Sequence, residues 1–288
     1  MHGIGPPLVT PCTEQGDVDY AALRELVGWV ENRGVDFLLA CGSTSEAELL
    51  TAAERKRVVE TVVEEASVPV LAGTGHPGLR ETLDSTAAAV DAGADAALVV
   101  TPFYYNHGHD TLVSYYRAVA DSAEIPVYLY SVPGYTDVQL TPKTVAELAS
   151  HPNIAGMKDT NGSLGSFIRT QQRVADGTFD LLIGTANILS QALSAGARGG
   201  VLALANLYPR KCVKIHELYE STPKRAQSLN AELVDINTAV TTMYGIPGLK
   251  WAMRQRGAPA GYPRSPQQPP DEHAKQHLAS LLAEVSKT

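Results

Sequence analysis

A lysine closes an apolar run in Ile154, Ala155, Gly156, Met157, Lys158, with Asp159 and Thr160 just beyond. The run reads as a short buried strand, so the ammonium stands where a folded chain least tolerates charge. Removing water from an amine favours its neutral form, and a neutral amine is a nucleophile that condenses with ketones to a Schiff base. Of the nine lysines, the other eight read as helix or loop surface. Lys250, in "GIPGLKWAM", has apolar neighbours but a helical context that lets its head reach water along its stem. The competing reading of Lys158 is an ion pair with Asp159 or Glu46.

Tyr130 ends the preceding apolar run, "IPVYLYS". A phenol there can pass protons to and from a carbon skeleton held on Lys158. The "CGSTSE" turn supplies the hydroxyls of Ser43 and Thr44 with successive backbone N–H groups, a combination suited to a carboxylate. Thr101, Tyr104 and Tyr105, then Ser131, Thr160, Gly184 and Thr185, stand after other apolar runs.

These groups need a scaffold that gathers strand ends. Short runs rich in β-branched residues begin near Ile4, Val35, Val68, Ala96, Ile125, Ile154, Phe179 and Gly199, spaced by roughly 20 to 33 residues as βα units are. Helical patterns lie between them. Leu23, Leu26, Val27 and Val30 share one face, with Asp19 as N-cap and Gly34 as stop, and Thr51 with Glu54 forms a capping box. Segments 79–93 and 141–150 are read the same way. Eight units predict a closed (β/α)8 barrel, an α/β TIM barrel, over 1–220, with its active site at the C-terminal strand ends. No G-x-G-x-x-G follows the first strand, and "GTGHPG" fits that pattern only loosely in the wrong unit. Residues 221–288 lack strand signals and predict a C-terminal helical extension, with the Pro-rich 258–271 as an extended surface connection.

The bulk composition excludes other classes. With 288 residues, 44% hydrophobic and 19% charged, the chain is ordinary globular material. A formal charge of −8, scattered rather than blocked, offers no cationic field for nucleic acid or anionic lipid. No apolar stretch is long enough to span a bilayer, and the first residues lack a secretory pattern. Cys12, Cys41 and Cys212 are odd in number and widely spaced, which reads as reduced packing residues of a cytoplasmic protein. His107 and His109 lack a third ligand and read as surface loop.

Together "GPPLVTP", "CGSTSEAELLTAAER", "VTPFYY", "YLYSVPG", "GMKDT", "ALANL" and "GIPGLK" resemble, in order and over nearly the whole chain, the pyruvate-dependent class I aldolases and lyases grouped with dihydrodipicolinate synthase and N-acetylneuraminate lyase. The resemblance implies Lys158 as Schiff-base lysine, Tyr130 as proton shuttle, Ser43 and Thr44 as carboxylate binders, and Thr44 with Tyr104 as a relay. Tyr104 would then reach a neighbouring subunit of a homotetramer. Thr160, Gly184 and Tyr135 are the further substrate-binding candidates, and neither metal nor organic cofactor is implied. Two positions depart from the synthase pattern. Its arginine, which grips the carboxylate of the amino-aldehyde substrate, is replaced by Tyr135, and Ser45 stands where glycine is frequent.

"LYSVP", "HPNI", "ALAN" and "GIPGLK" are similar to 4-hydroxy-2-oxoglutarate and 2-keto-3-deoxy sugar-acid aldolases. The expected reaction is thus reversible cleavage of a 4-hydroxy-2-oxo acid into pyruvate and an aldehyde. Its rivals are a synthase or dehydratase using the same imine, and a non-catalytic binding protein on this barrel.

Overall fold

The computed structural model describes residues 1–174 and 177–286. Eight parallel strands follow in order: β1 (Gly3–Gly5), β2 (Leu38–Ala40), β3 (Val70–Gly73), β4 (Ala96–Val100), β5 (Val127–Ser131), β6 (Ile154–Asp159), β7 (Asp180–Ile183) and β8 (Gly199–Val201). From β2 to β8 each strand pairs with its sequence neighbour, and β1 pairs with β8. Between β1 and β2 the barrel closes through an isolated bridge, Pro7 to Leu39, beyond the end of β1. The Leu39 amide donates to Pro6 O at 3.0 Å and the Leu8 amide to Leu39 O at 2.9 Å. Pro6 and Pro7 have no N–H to offer, which keeps β1 to three residues although the apolar run continues to Val9. The chain is a TIM barrel.

Side-chain alternation divides the apolar residues into two clusters. Phe37, Leu39, Leu71, Leu98, Tyr128, Tyr130, Leu182 and Val201 fill the barrel. Their strand neighbours Leu38, Ala72, Val99, Leu129, Met157 and Leu181 face outward into the core beneath the helices. Strands buried on both faces read as continuous apolar runs, which is why they were visible in the sequence. Gly156 makes room for the inner layer, since a Cβ there would lie 2.5 Å from the Tyr128 ring.

The helices begin where the caps predict. Asp19 accepts from the Ala22 amide ahead of Tyr20–Glu31, and Thr51 and Glu54 close their capping box on Ala52–Glu65. Helices Leu79–Asp91 and Pro142–Leu148 fill the other two predicted segments.

After β8 the chain is helical. The helical extension expected over 221–288 comprises Pro223–Ala231, Val234–Thr238, a π-helical turn Ala239–Met243, Gly245–Gln255 and Glu272–Val285. The Pro-rich stretch is a surface connection only in its second half, where Ser265, Pro266, Gln268 and Pro269 are exposed. Its first half is tied down: Ala258 and Ala260 are buried, and the Tyr262 amide donates to Cys12 O at 2.8 Å. An extended chain poor in N–H groups can pack on the barrel because the few amides it has find acceptors there. No helix among the described residues is long and apolar enough to cross a membrane. All three cysteines are free and buried.

Candidate active site

In the β5–β6 pair, Tyr130 stands directly opposite Lys158. Leu129 and Met157 point outward, so the strand period turns Tyr130 and Lys158 into the barrel. The Lys158 Nζ sits 4.3 Å from the centroid of the Tyr130 ring. Both side chains are buried, at 3% and 4% exposure. The negative face of the ring therefore takes the place of water around the ammonium. Neither carboxylate considered from the sequence holds this lysine. Asp159 accepts from the Asn161 amide at 3.0 Å and from Asn161 Nδ2 at 3.1 Å, and Glu46 is engaged by Lys250. Burial pushes the Asp159 carboxyl up to about 6.

The "CGSTSE" segment forms a 3-10 turn over Ser43–Ser45, bracketed by two left-handed residues, Cys41 (φ 55°) and Glu46 (φ 56°). It carries the Ser43 hydroxyl to 3.4 Å from the Tyr130 phenol. Thr44 is half-buried on the same turn. As the first residues of that turn, Ser43 and Thr44 have amides without a partner inside it. Ser45 is buried instead. Its hydroxyl accepts from the Gly42 amide at 3.1 Å and donates to Leu8 O at 2.6 Å, tying the turn to the segment that follows β1.

Thr160 and Gly184 meet at the ends of β6 and β7. A Cβ on Gly184 would fall 1.8 Å from Thr160 Oγ1, a buried hydroxyl with no partner of its own. A cavity of about 510 Å³ fills the barrel mouth, with Ser43, Tyr130, Tyr135, Phe103, Ile246 and Gln267 in its wall. Lys158, Thr44, Thr160 and Gly184 are not among the residues of that wall. Tyr135 is 68% exposed at the rim. Tyr104 is not brought to the site within the chain. It is 85% exposed on an outer loop in a left-handed conformation (φ 79°), its ring edge-on to Tyr105.

Two expectations are corrected. Lys250 does not reach water: it is fully buried, forms an ion pair with Glu46 and donates to Tyr262 O at 2.8 Å. Its stem is enclosed because the Pro-rich segment folds over it. That segment and the π-helical junction also bring Gly245, Pro247 and Gln268 to the cavity, which no local signal in a Pro-rich stretch announces. His109, from the "HGH" pair, is half-buried rather than loose on the surface, its ring nitrogens 3.0 Å from Thr144 Oγ1 and 3.0 Å from Glu147 Oε2.

A buried amine on a phenol face, at the C-terminal mouth of a TIM barrel, defines the class: an enzyme with the groups for carbonyl condensation through a lysine. The model of the dihydrodipicolinate synthetase family matches residues 1–285, and the chain belongs to that family, whose members are pyruvate-dependent lyases and synthases. The 4-hydroxy-tetrahydrodipicolinate synthase of Methanothrix thermoacetophila is 35% identical over 287 residues, covering 99% of this chain and 97% of that one. Among solved structures, the chloride-inhibited dihydrodipicolinate synthase of Acinetobacter baumannii complexed with pyruvate is 30% identical with a TM-score of 0.95, covering 99% of each chain. YagE of E. coli K12, a prophage protein of the same family in complex with pyruvate, is 32% identical with a TM-score of 0.95, again over 99% of each chain.

Proposed function

We propose that Lys158 forms an imine with the keto carbon of pyruvate and that the protein makes or breaks a carbon–carbon bond between the derived enamine and an aldehyde. The contact between the Lys158 Nζ and the Tyr130 ring, both buried, is the observation that carries this reading. The neutral amine attacks the ketone, and loss of water gives the iminium. Loss of a proton from the methyl carbon gives the enamine, which adds to the aldehyde carbon, and water then releases the product. Tyr130 hands protons between carbinolamine, carbon chain and the Ser43 hydroxyl. Ser43 and Thr44 hold the pyruvate carboxylate, and Thr160 and Gly184 shape the floor beside the imine. Tyr104, exposed here, serves the site of a second copy in a homotetramer.

The names carried by the relatives support condensation of the 4-hydroxy-tetrahydrodipicolinate synthase type over the sugar-acid cleavage read first from the sequence. One observation favours the second reading. The rim holds Tyr135 where the synthase pattern has its arginine, and a phenol cannot make the bidentate contact that grips an amino-aldehyde carboxylate. The Arg55 guanidinium in the cavity wall is engaged by Glu81 at 3.1 Å. Aldehydes without that carboxylate suit such a rim.

The test is borohydride reduction with pyruvate followed by peptide mass analysis. An adduct on the peptide bearing Lys158 is expected, and a folded protein that yields none removes the imine. Product analysis with an amino-aldehyde, with neutral hydroxy-aldehydes and with 2-keto-3-deoxy acids then separates synthesis from cleavage; loss of water without cleavage of the keto-acids rejects the aldolase.

A further inference from the structure

The turn that presents Ser43 and Thr44 ends on Glu46, and the side chain of Glu46 does not face substrate space alone. It is 4% exposed and carries two partners from the far C-terminal part of the chain. One carboxylate oxygen forms an ion pair with the Lys250 ammonium, from helix Gly245–Gln255. The other accepts from the Arg264 amide at 2.8 Å, in the Pro-rich segment. The Lys250 ammonium in turn donates to Tyr262 O at 2.8 Å, two residues from Arg264. The Arg264 guanidinium reaches Glu54 Oε1 at 2.8 Å, in the first turn of the helix that follows the site turn. The β2 loop is thus held at its midpoint and at its far end by the same short stretch.

This matters because Glu46 is strained on its own. Its φ of 56° is a conformation that glycine adopts freely and glutamate does not. Something must hold it, and a buried carboxylate fixed between an ammonium and an amide does so. We propose that Lys250 and Glu46 are a pair of positioning residues: their ion pair holds the 3-10 turn at Ser43–Ser45 in the geometry that receives the pyruvate carboxylate. The helical extension, which also lines the far wall of the cavity, thus holds the carboxylate turn without supplying a reacting group. This rests on the imine reading above.

Lys250→Met keeps the buried stem and removes the charge. The half-saturating pyruvate concentration for borohydride trapping of Lys158 should rise about 10-fold or more, because a charge-assisted contact is lost and the clamp is displaced. The trapping rate at saturating pyruvate should stay within about 3-fold, since the Lys158–Tyr130 pair sits on strands the ion pair does not reach. General destabilisation lowers the fraction of competent protein without moving half-saturation, so the split between the two parameters identifies positioning. Glu46→Gln/Lys250→Met, which leaves no unpaired buried charge, keeps the test valid should the single variant fold poorly. It should regain thermal stability while its half-saturation stays raised. Wild-type protein that forms no adduct overturns the imine reading. Wild-type protein that is trapped, while the folded double variant binds pyruvate as tightly as it does, overturns the positioning role alone.

Discussion

Tyr130→Phe separates the two roles proposed for one ring. Phenylalanine keeps the face over which the Lys158 ammonium sits at 4.3 Å, and a cation–π contact of that kind contributes about 0.5 to 2 kcal/mol. The hydroxyl alone is lost. Its protein partner is Ser43 Oγ at 3.4 Å, a long neutral hydrogen bond whose removal costs less than about 1 kcal/mol. The fold should therefore survive with its thermal midpoint lowered by no more than about 2 to 4 °C. Proton transfer should not survive: losing a placed general acid–base group slows turnover by about 100-fold or more, near 2.7 kcal/mol of transition-state stabilisation. Pyruvate trapping by borohydride should continue, because the amine is still buried and the Ser43–Thr44 turn is untouched. Both quantities can be read on one preparation, adduct by intact mass and turnover by product appearance with a reactive aldehyde. Turnover within about threefold of wild type refutes proton transfer by the phenol, and loss of trapping in a folded variant refutes the separation of roles.

Lys158→Ala should abolish both the adduct and turnover while leaving the circular dichroism spectrum unchanged, and residual turnover at a tenth or more of the wild-type rate refutes an essential amine, on the order of what a lost covalent path allows. Gly184→Ala should cost about 1 to 3 kcal/mol of stability, because its Cβ meets Thr160 Oγ1 at 1.8 Å and Asp159 O at 3.1 Å. Thr160→Ala in that background should recover part of the loss; an unchanged midpoint in the single variant refutes the contact. Asp159 supplies a pH dependence. Burial raises its carboxyl from 3.8 to about 6, so the folded state binds its proton more tightly than the unfolded state does. The resulting stability is fully present below pH 3.8 and is lost as pH rises through about 6, to a total on the order of 3 kcal/mol. Asp159→Asn removes this slope, so melting curves from pH 4 to 7 should show the variant gaining on wild type as pH rises, and parallel curves refute the assignment.

The parts of this molecule that were legible in the sequence are those where one local rule decides the outcome. Parallel strands covered on both faces must be apolar throughout, so their runs stand out, and a charge that closes such a run, as Lys158 does, stands out further. The opposition of Tyr130 and Lys158 followed from two consecutive strands in parallel register. Lys250 shows where such reasoning stops. Its neighbours fit a half-buried helix, and nothing local tells whether the stem leads to solvent or beneath another segment. The answer depended on Pro263 and Arg264 folding back across the mouth onto Glu46, a contact between distant parts of the chain. The helical extension shows the same limit: its helix Pro223–Ala231 ends, and a π-helical turn at Ala239–Met243 follows just before residues that line the cavity, breaks that no local signal in 221–288 sets.

This division between local and distant determinants has a chemical counterpart. Lys158 and Tyr130 sit on paired strands, where backbone hydrogen bonds fix their separation whatever the loops do. Tyr135, Ile246, Pro247 and Gln267 line the same cavity from a short helix at the rim and from the C-terminal part of the chain. Changes there should alter which aldehyde is accepted without disturbing the proposed imine, as with Tyr135 standing where the synthase pattern has an arginine. The Ser43–Ser45 turn belongs to neither group. Its Ser43 hydroxyl faces the Tyr130 phenol, while the residue that ends it is gripped by the extension. A change in the extension that shifts Lys250 should therefore reach the proposed carboxylate site, whereas one confined to Gln267 or Gln268 reaches only the far wall, and kinetics of pyruvate against aldehyde distinguish the two.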